Sequence, residues 1–340
     1  MSGGVDSSVS AALLVEQGYE VIGAFMKNWS DTKTVSGECA WKEERRDAMR
    51  VAALLDIPFV TFDFEKEYKE EVVEYIFREY AAGRTPNPDV VCNSAIKFPL
   101  FWREAQKLGA DYIATGHYAQ TEDGILKLGV DSNKDQTYFL CGINSDDLSH
   151  TLFPVGHLTK PEVRELARKF KLPVAEKKDS TGICFIGEVP MQDFLSQRIP
   201  KKKGDIVTVD GVKVGEHNGV WFYTIGQRHG FGGGGGVPYF VVDRNLEKNE
   251  LIVAPGSEHP RLYKKEFEVK DMHWISGHVP ELPFECQVRI RHRAAFFDAV
   301  LKLEAGSWKL KANDPQRAVT PGQMAVIYKD NACLGGGVIV

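Results

Sequence analysis

Two periodicities divide the chain. Over roughly the first 200 residues, apolar positions recur in blocks that switch between helical spacing and short continuous runs; beyond about Asp205 they alternate singly between turn residues. SSVSAALLVEQG reads as an amphipathic helix closed by Gly18, and YEVIGAFM as a buried strand. Ala48, Val51, Ala52 and Leu55 mark one side of a second helix, which leads into the strand PFVTFDF. A helix through Val72, Ile76 and Tyr80, another from about Ile96 to Leu108, and the strand DYIATG continue the series. This alternation predicts an α/β domain with a doubly wound parallel sheet, whose ligands gather at the carboxyl ends of the strands.

In the last third the pattern predicts antiparallel β structure. IVTVDGVKV reads as two strands around a two-residue Asp210–Gly211 turn. FECQVRIRHR, AVLKLEAGSWKLKA and MAVIYKDNACLGGGVIV alternate or run apolar between turn residues, as in a small antiparallel β-barrel or sandwich. KKKG near residue 201 and PGSEHPR near residue 257 mark boundaries, giving an expected division into residues 1–200, a small central domain over 201–262, and a barrel over 263–340. The run HGFGGGGGVP contains GxGxxG, but no helical pattern follows it, so it reads as a loop rather than a dinucleotide site.

Composition narrows the functional classes. No apolar run is long enough to cross a membrane, and no basic segment with an apolar core opens the chain, so the expected compartment is the cytoplasm. Six cysteines are scattered without a CxxC pair, which argues against a zinc site or a disulfide scaffold. The net charge of −5 does not suggest a polyanionic partner. Its distribution does: residues 160–203 hold eleven Lys/Arg against six Asp/Glu, and residues 289–293 read RIRHR. Each is either a solvated face or a basic track for nucleic acid.

The opening MSGGVDSSVS carries the first candidate chemistry. Two glycines, three serines and the amides of a helix N-terminus make an anion nest suited to a phosphate chain, or else a plain capped helix after a tight turn. No Walker lysine follows, so the P-loop NTPase reading fails. Phosphate-holding turns of this kind normally follow a buried strand, and none precedes Ser2 here. In GRTPNPDVVCNSAIKF, Asp89 stands three residues before Cys92, which is expected at the start of a helix, where the dipole favours a thiolate; a buried structural cysteine is the plainer reading. KKDSTGICFIGE places Cys184 in a loop of small polar residues.

SGGVDSS, NPDVVCN, ATGHYA, KDQTYFL, DSTGICFIGE and TIGQRHG, in this order, resemble the tRNA-specific 2-thiouridylase family of the ATP pyrophosphatase superfamily, and the resemblance runs over nearly the whole chain. It implies an adenine nucleotide hydrolase-like sheet followed by a central domain and a C-terminal β-barrel. It implies ATP, accompanied by magnesium, held by Ser2, Gly3, Gly4, Asp6, Ser7, Ser8, Met26, Gly116 and His117. The implied reaction adenylates the 2-oxygen of a tRNA wobble uridine and replaces it with sulfur. By resemblance Cys184 carries a persulfide received from a sulfur-relay protein or cysteine desulfurase, Cys92 is the releasing nucleophile, and Asp89 the acid/base. Implied tRNA contacts are Asn87, Asp89, Lys134, Asp135, Gln136, Gln227, Arg228 and His229, with Lys201 to Lys203, Arg289, Arg291 and Arg293 as further basic candidates. A monomer with no protein-held metal site is expected. Two rivals stay open: an ATP pyrophosphatase that delivers nitrogen, which needs no paired thiols, and a non-catalytic RNA- or nucleotide-binding module.

Overall fold

The computed structural model describes residues 1–30, 40–179, 190–228 and 237–340. Helix α1 (Val5–Glu16) starts after Gly4 and ends before Gly18, whose φ of +85° supplies the left-handed turn that glycine adopts without strain. Strand β1 (Gly23–Lys27), helix α2 (Ala40–Leu54) and strand β2 (Phe59–Asp63) follow, and β1 and β2 pair in parallel from Gly23↔Phe59 to Lys27↔Asp63. Residues 65–81 form one helical run with a wide π turn at Lys69–Val73. Strand β3 is shorter than its sequence pattern suggests (Ile113–Ala114), and it pairs in parallel with β6 (Thr151–Leu152). Between them lies the hairpin of β4 (Ala119–Glu122) and β5 (Ile125–Leu128).

The α/β alternation is therefore present as two parallel pairs. Between the pairs sits a cavity of about 320 Å³, with Leu14, Ile22, Val60, Phe101, Ala105 and Ile113 among its walls. The Met1 amine enters this cavity and donates to the Ala24 carbonyl, and burial holds its pKa down to about 5.

The central sheet comprises β7 (Gly204–Thr208), β8 (Lys213–His217), β9 (Tyr239–Asn245) and β10 (Glu250–Pro255) in the order β8-β7-β10-β9. The expected two-residue turn at Asp210–Gly211 is instead a four-residue connection. The Thr208 hydroxyl accepts from the amides of Asp210 and Val212, so a side chain takes donors that a tight hairpin would pair across the strands. C-terminally, β11 (Tyr263–Trp274), β12 (Phe284–Arg289), β13 (Phe297–Glu304), β14 (Ser307–Arg317), β15 (Met324–Lys329) and β16 (Ala332–Ile339) form an antiparallel barrel closed by β11–β16 pairing. Its tight turns place both central residues at positive φ, at Ala305–Gly306 and Asp330–Asn331, as two-residue turns matched to strand twist require.

One junction decides how the site is built. β5 pairs with β16, Ala332↔Lys127 and Cys333↔Leu126, so the hairpin of the N-terminal domain extends the barrel's sheet. One core accordingly runs through both domains, with Tyr138, Leu140 and Leu126 packed together with Val326, Tyr328 and Cys333. Among the described residues no helix is long and apolar enough to cross a membrane.

Candidate active site

The opening loop is shaped by backbone approach. Gly3 has φ +73° and lies against the Glu44 backbone of α2, where a side chain would have no room. Gly116, just past β3, backs the loop from the other side: a Cβ there would lie 2.6 Å from the Ser7 nitrogen. The Ser2 and Ser7 hydroxyls are 3.2 Å apart, the Ser2 amide donates to Ser7 Oγ at 3.1 Å, and Ser8 Oγ donates to the Gly4 carbonyl at 2.7 Å. The first amides of α1 have no intrahelical acceptors, and glycine at positions 3 and 116 lets neighbouring backbone approach the loop closely, while the helix dipole favours negative charge at this end.

Charged partners fix this loop in place. Asp6 accepts from the Tyr118 hydroxyl at 2.8 Å and from Lys160 Nζ at 2.7 Å. Lys160 also meets Asp179 Oδ1 at 2.8 Å, and Asp179 pairs with Lys134 at 2.5 Å and Arg164 at 2.9 Å. Burial pushes the Asp179 carboxyl up, but the Lys134 and Lys160 hydrogen bonds and charges outweigh it and hold the pKa at about 2. Lys177 Nζ donates to the Gly3 carbonyl at 3.0 Å and pairs with Asp47 at 2.8 Å. The stretch leading to Cys184 is therefore tied to the opening loop. Cys184 itself lies outside the described residues, as does His229.

His117 is buried. Thr115 Oγ1 lies 2.8 Å from Nδ1 and Lys97 Nζ 3.5 Å from Nε2. Burial, with the Lys97 charge added, holds its pKa well below the ordinary histidine value, so the ring is neutral. With Lys97 donating to Nε2, the ring proton belongs on Nδ1, facing Thr115. Met26 is half-buried near the carboxyl end of β1.

Cys92 corrects an expectation. The helix begins at Pro88, with Asn87 as N-cap accepting from the Val90 amide and proline at the first position. Cys92 is thus the fifth residue of the helical run, not its start; the positions at the N-terminus are the Asn87 cap, which accepts from the Val90 amide, and Asp89 in the first turn. Cys92 instead opens a π segment, Cys92–Lys97, followed by Pro99, which has no N–H for the next helical bond. The segment spans from the buried thiol to Lys97 beside His117, so one irregular turn links the thiol to the end of β3. Burial pushes the thiols of Cys141 and Cys286 up to about 12 and that of Cys333 well above its ordinary value, leaving these three as core residues.

Residues 1–188 match the family model described as tRNA methyl transferase HUP domain, 192–255 the tRNA methyl transferase PRC-barrel domain, and 264–339 the aminomethyltransferase beta-barrel domain. The tRNA-specific 2-thiouridylase MnmA of Streptococcus thermophilus (strain CNRZ 1066) is 50% identical over 349 residues, covering 100% of this chain and 93% of that protein. The proteins of that name from Shouchella clausii (strain KSM-K16) and Geobacillus thermodenitrificans (strain NG80-2) are each 50% identical over 345 residues, covering 100% of this chain and 94% and 93% of theirs. The chain belongs to the tRNA-specific 2-thiouridylase family.

In this 2-thiouridylase-family chain the KDQ segment is a rivet. Lys134 reaches Asp179; Gln136 Oε1 accepts from the Tyr118 amide at 3.0 Å. Asp135, 2% exposed, pairs at 2.7 Å with Arg289 of the barrel, 8% exposed, under the Phe296 ring. Asp135 and Arg289 are thus buried against each other at the domain junction. Arg291 donates to the Arg317 carbonyl and is half-buried, whereas Arg293, Arg228 and Lys201 to Lys203 are exposed. Gln227 accepts from the Thr224 amide at 3.0 Å. Lys160, Tyr118, Lys97 and Lys177 were not read from the sequence. Only Lys160 carried a local signal, the Thr159–Lys–Pro–Glu162 capping box at its helix start.

Proposed function

We propose that this protein uses ATP to replace the 2-oxygen of a tRNA wobble uridine with sulfur. The observation that supports it most is the glycine-backed opening loop at the head of α1, joined by charged contacts to the stretch before Cys184, in a chain matched end to end by proteins named 2-thiouridylases.

A carbonyl oxygen is a poor leaving group. Attack of the uridine 2-oxygen on the α-phosphorus of ATP makes it part of AMP and expels pyrophosphate, whose charge suits the amides and hydroxyls of residues 2–8. Magnesium accompanying ATP would be carried by its phosphates, with Asp6 as the carboxylate within the loop. The terminal sulfur of a persulfide on Cys184 attacks C2 and AMP departs with the oxygen. Cys92 then attacks the Cys184 sulfur, releasing the thiolated base and leaving a disulfide that a reductant opens. Asp89, in the first turn of the Cys92 helix, moves the protons. Exposed Arg228, Arg293 and Lys201 to Lys203 hold the RNA backbone while the base is turned out. The sulfur comes from a relay protein or desulfurase, the enzyme acts as a monomer, and its compartment is the cytoplasm.

The test is thiolation of transcribed tRNA with ATP, a cysteine desulfurase and cysteine to load the persulfide, and a thiol reductant to reopen the disulfide. Expected are tRNA-dependent AMP formation and 2-thiouridine, the latter lost in Cys92→Ser and Cys184→Ser. Unimpaired product in both serine variants would favour an enzyme that needs no paired thiols; AMP formation indifferent to tRNA would remove the substrate.

A further inference from the structure

The loop that delivers Asp89 and Cys92 has an unusual shortage of backbone donors. Thr85-Pro86-Asn87-Pro88 contains two prolines, so it cannot close its own turn hydrogen bonds, and Thr85, Pro86 and Asn87 are buried. Its partners come from the far end of the chain. The Thr85 amide donates to the Pro321 carbonyl at 2.9 Å, and Gln323 Nε2 donates to the carbonyls of both Thr85 (2.9 Å) and Pro86 (3.1 Å). Between them Gly322 sits at φ +94°, where a Cβ would lie 2.8 Å from the Thr85 nitrogen and oxygen. The turn is itself anchored in the barrel: the Gly322 amide donates to the Ile339 carbonyl at 2.9 Å, and the Ile339 amide to the Gln323 carbonyl at 2.8 Å. Next to it, the Tyr138 hydroxyl donates to the Met324 carbonyl and also meets the Asn87 side chain.

We propose that Gln323 is a positioning residue for the thiol step: one side-chain amide from the barrel satisfies two buried carbonyls and thereby sets where Asn87 caps the helix bearing Asp89 and Cys92. This rests on the function proposed above. A glutamine suits the task because both N–H groups of one amide point to carbonyls one residue apart, whereas a carboxylate at the same place would repel both. Loss of the amide leaves two buried carbonyls without partners, and the loop must shift to hydrate them. Shifts of about 1 Å at reacting groups cost on the order of 100-fold in rate.

The experiment compares Gln323→Leu, Gln323→Glu and Gln323→Lys with the parent chain, measuring 2-thiouridine formed per AMP, kcat, and KM for tRNA and ATP. Expected is a fall in kcat for thiolation of at least about tenfold in the leucine and glutamate variants with both KM values unchanged, AMP formation outrunning 2-thiouridine, and recovery in the lysine variant, whose ammonium can donate to both carbonyls. Equal losses in all three variants, a rise in KM for tRNA in place of the fall in kcat, or unchanged kcat in the leucine variant would overturn the assignment. Absence of 2-thiouridine with the parent chain would instead strike the functional reading. Should Gln323→Leu melt below the assay temperature, the lysine and glutamate pair, both charged and opposite in donor capacity, decides the question alone.

Discussion

Replacing Arg289 with methionine separates a structural ion pair from a tRNA contact. The guanidinium lies 2.7 Å from Asp135, both side chains are nearly inaccessible, and Asp135 keeps two further donors, the Gly129 amide at 3.1 Å and the Thr137 hydroxyl at 3.0 Å. In the methionine variant the carboxylate stays buried with neutral donors and no counter-charge. Breaking one side of such a pair costs about 3–5 kcal/mol. An unfolding entropy of about 2.1 cal/mol/K per residue gives roughly 0.7 kcal/mol/K for this chain, so the midpoint drops by about 4–7 °C if the molecule melts as one unit. Asp135→Asn strands the guanidinium instead and falls in the same range; the double variant removes both charges and recovers most of the loss, so the cycle gives a coupling larger than either single loss, about 5 kcal/mol or more. Calorimetric melting of the four proteins at one pH reads this out. The same proteins titrated with tRNA at several salt concentrations give a second reading, since each lost phosphate contact lowers the salt slope by about 0.7–0.9. A slope lowered by that amount in the methionine variant, or single variants melting within about a degree of the parent, would refute the reasoning and return Arg289 to the RNA face.

Two further outcomes follow from backbone geometry. Gly116→Ala places a methyl 2.6 Å from the Ser7 nitrogen, so tRNA-dependent AMP formation falls by about tenfold or more while tRNA binding is retained; unchanged turnover would remove the opening loop from the nucleotide site. An apolar extension of about five residues fused ahead of Met1 enters the cavity between the two parallel pairs, raises the melting midpoint and takes the amine out of it. The amine titrates near 5 when folded and near 8 when unfolded, so between those values the unfolded chain holds the extra proton and stability climbs with pH; the extended protein lacks that climb, and parallel curves for the two proteins would count against the account.

How much was legible depended on whether the cause was local. The α1 helix and its Gly18 stop, β2 and the barrel strands follow from periodicity and turn chemistry carried by neighbouring residues. The hairpin at Asp123–Gly124 had the same turn signal and went unread, because β4 and β5 are four residues each and lie inside a stretch otherwise read as α/β. The helix bearing Cys92 begins about one turn earlier than its apolar pattern implies, because its start is set by the Asn87–Pro88 cap and not by the first periodic apolar residues. In the opening loop the candidate residues were visible as types and spacing, but their partners were not: Lys160 comes to Asp6 from 154 positions away. No local pattern can announce such a contact. It arises only when the helix bearing Lys160 packs on α1 through Val5, Val9 and Val163.

The same consideration changes how the C-terminal barrel is understood. Read from sequence, RIRHR at its second strand suggested an RNA-facing stripe. In the fold, the first arginine of that run turns inward to Asp135, the third remains outside, and a turn some thirty residues on grips the loop before Cys92. β16 pairs with β5, and the core passes from Tyr138 to Tyr328 without a break. A module that merely docked an RNA would not need to lend a buried counter-ion to the KDQ segment and two hydrogen bonds to the TPNP loop. These contacts give the barrel a second task beside any contact with RNA: it holds in register two segments of the N-terminal domain, the KDQ segment and the loop before Cys92, between which the thiol chemistry is proposed to run. Damage to the barrel core should accordingly appear first as lost coupling between AMP formation and sulfur transfer, and only later as lost affinity for tRNA.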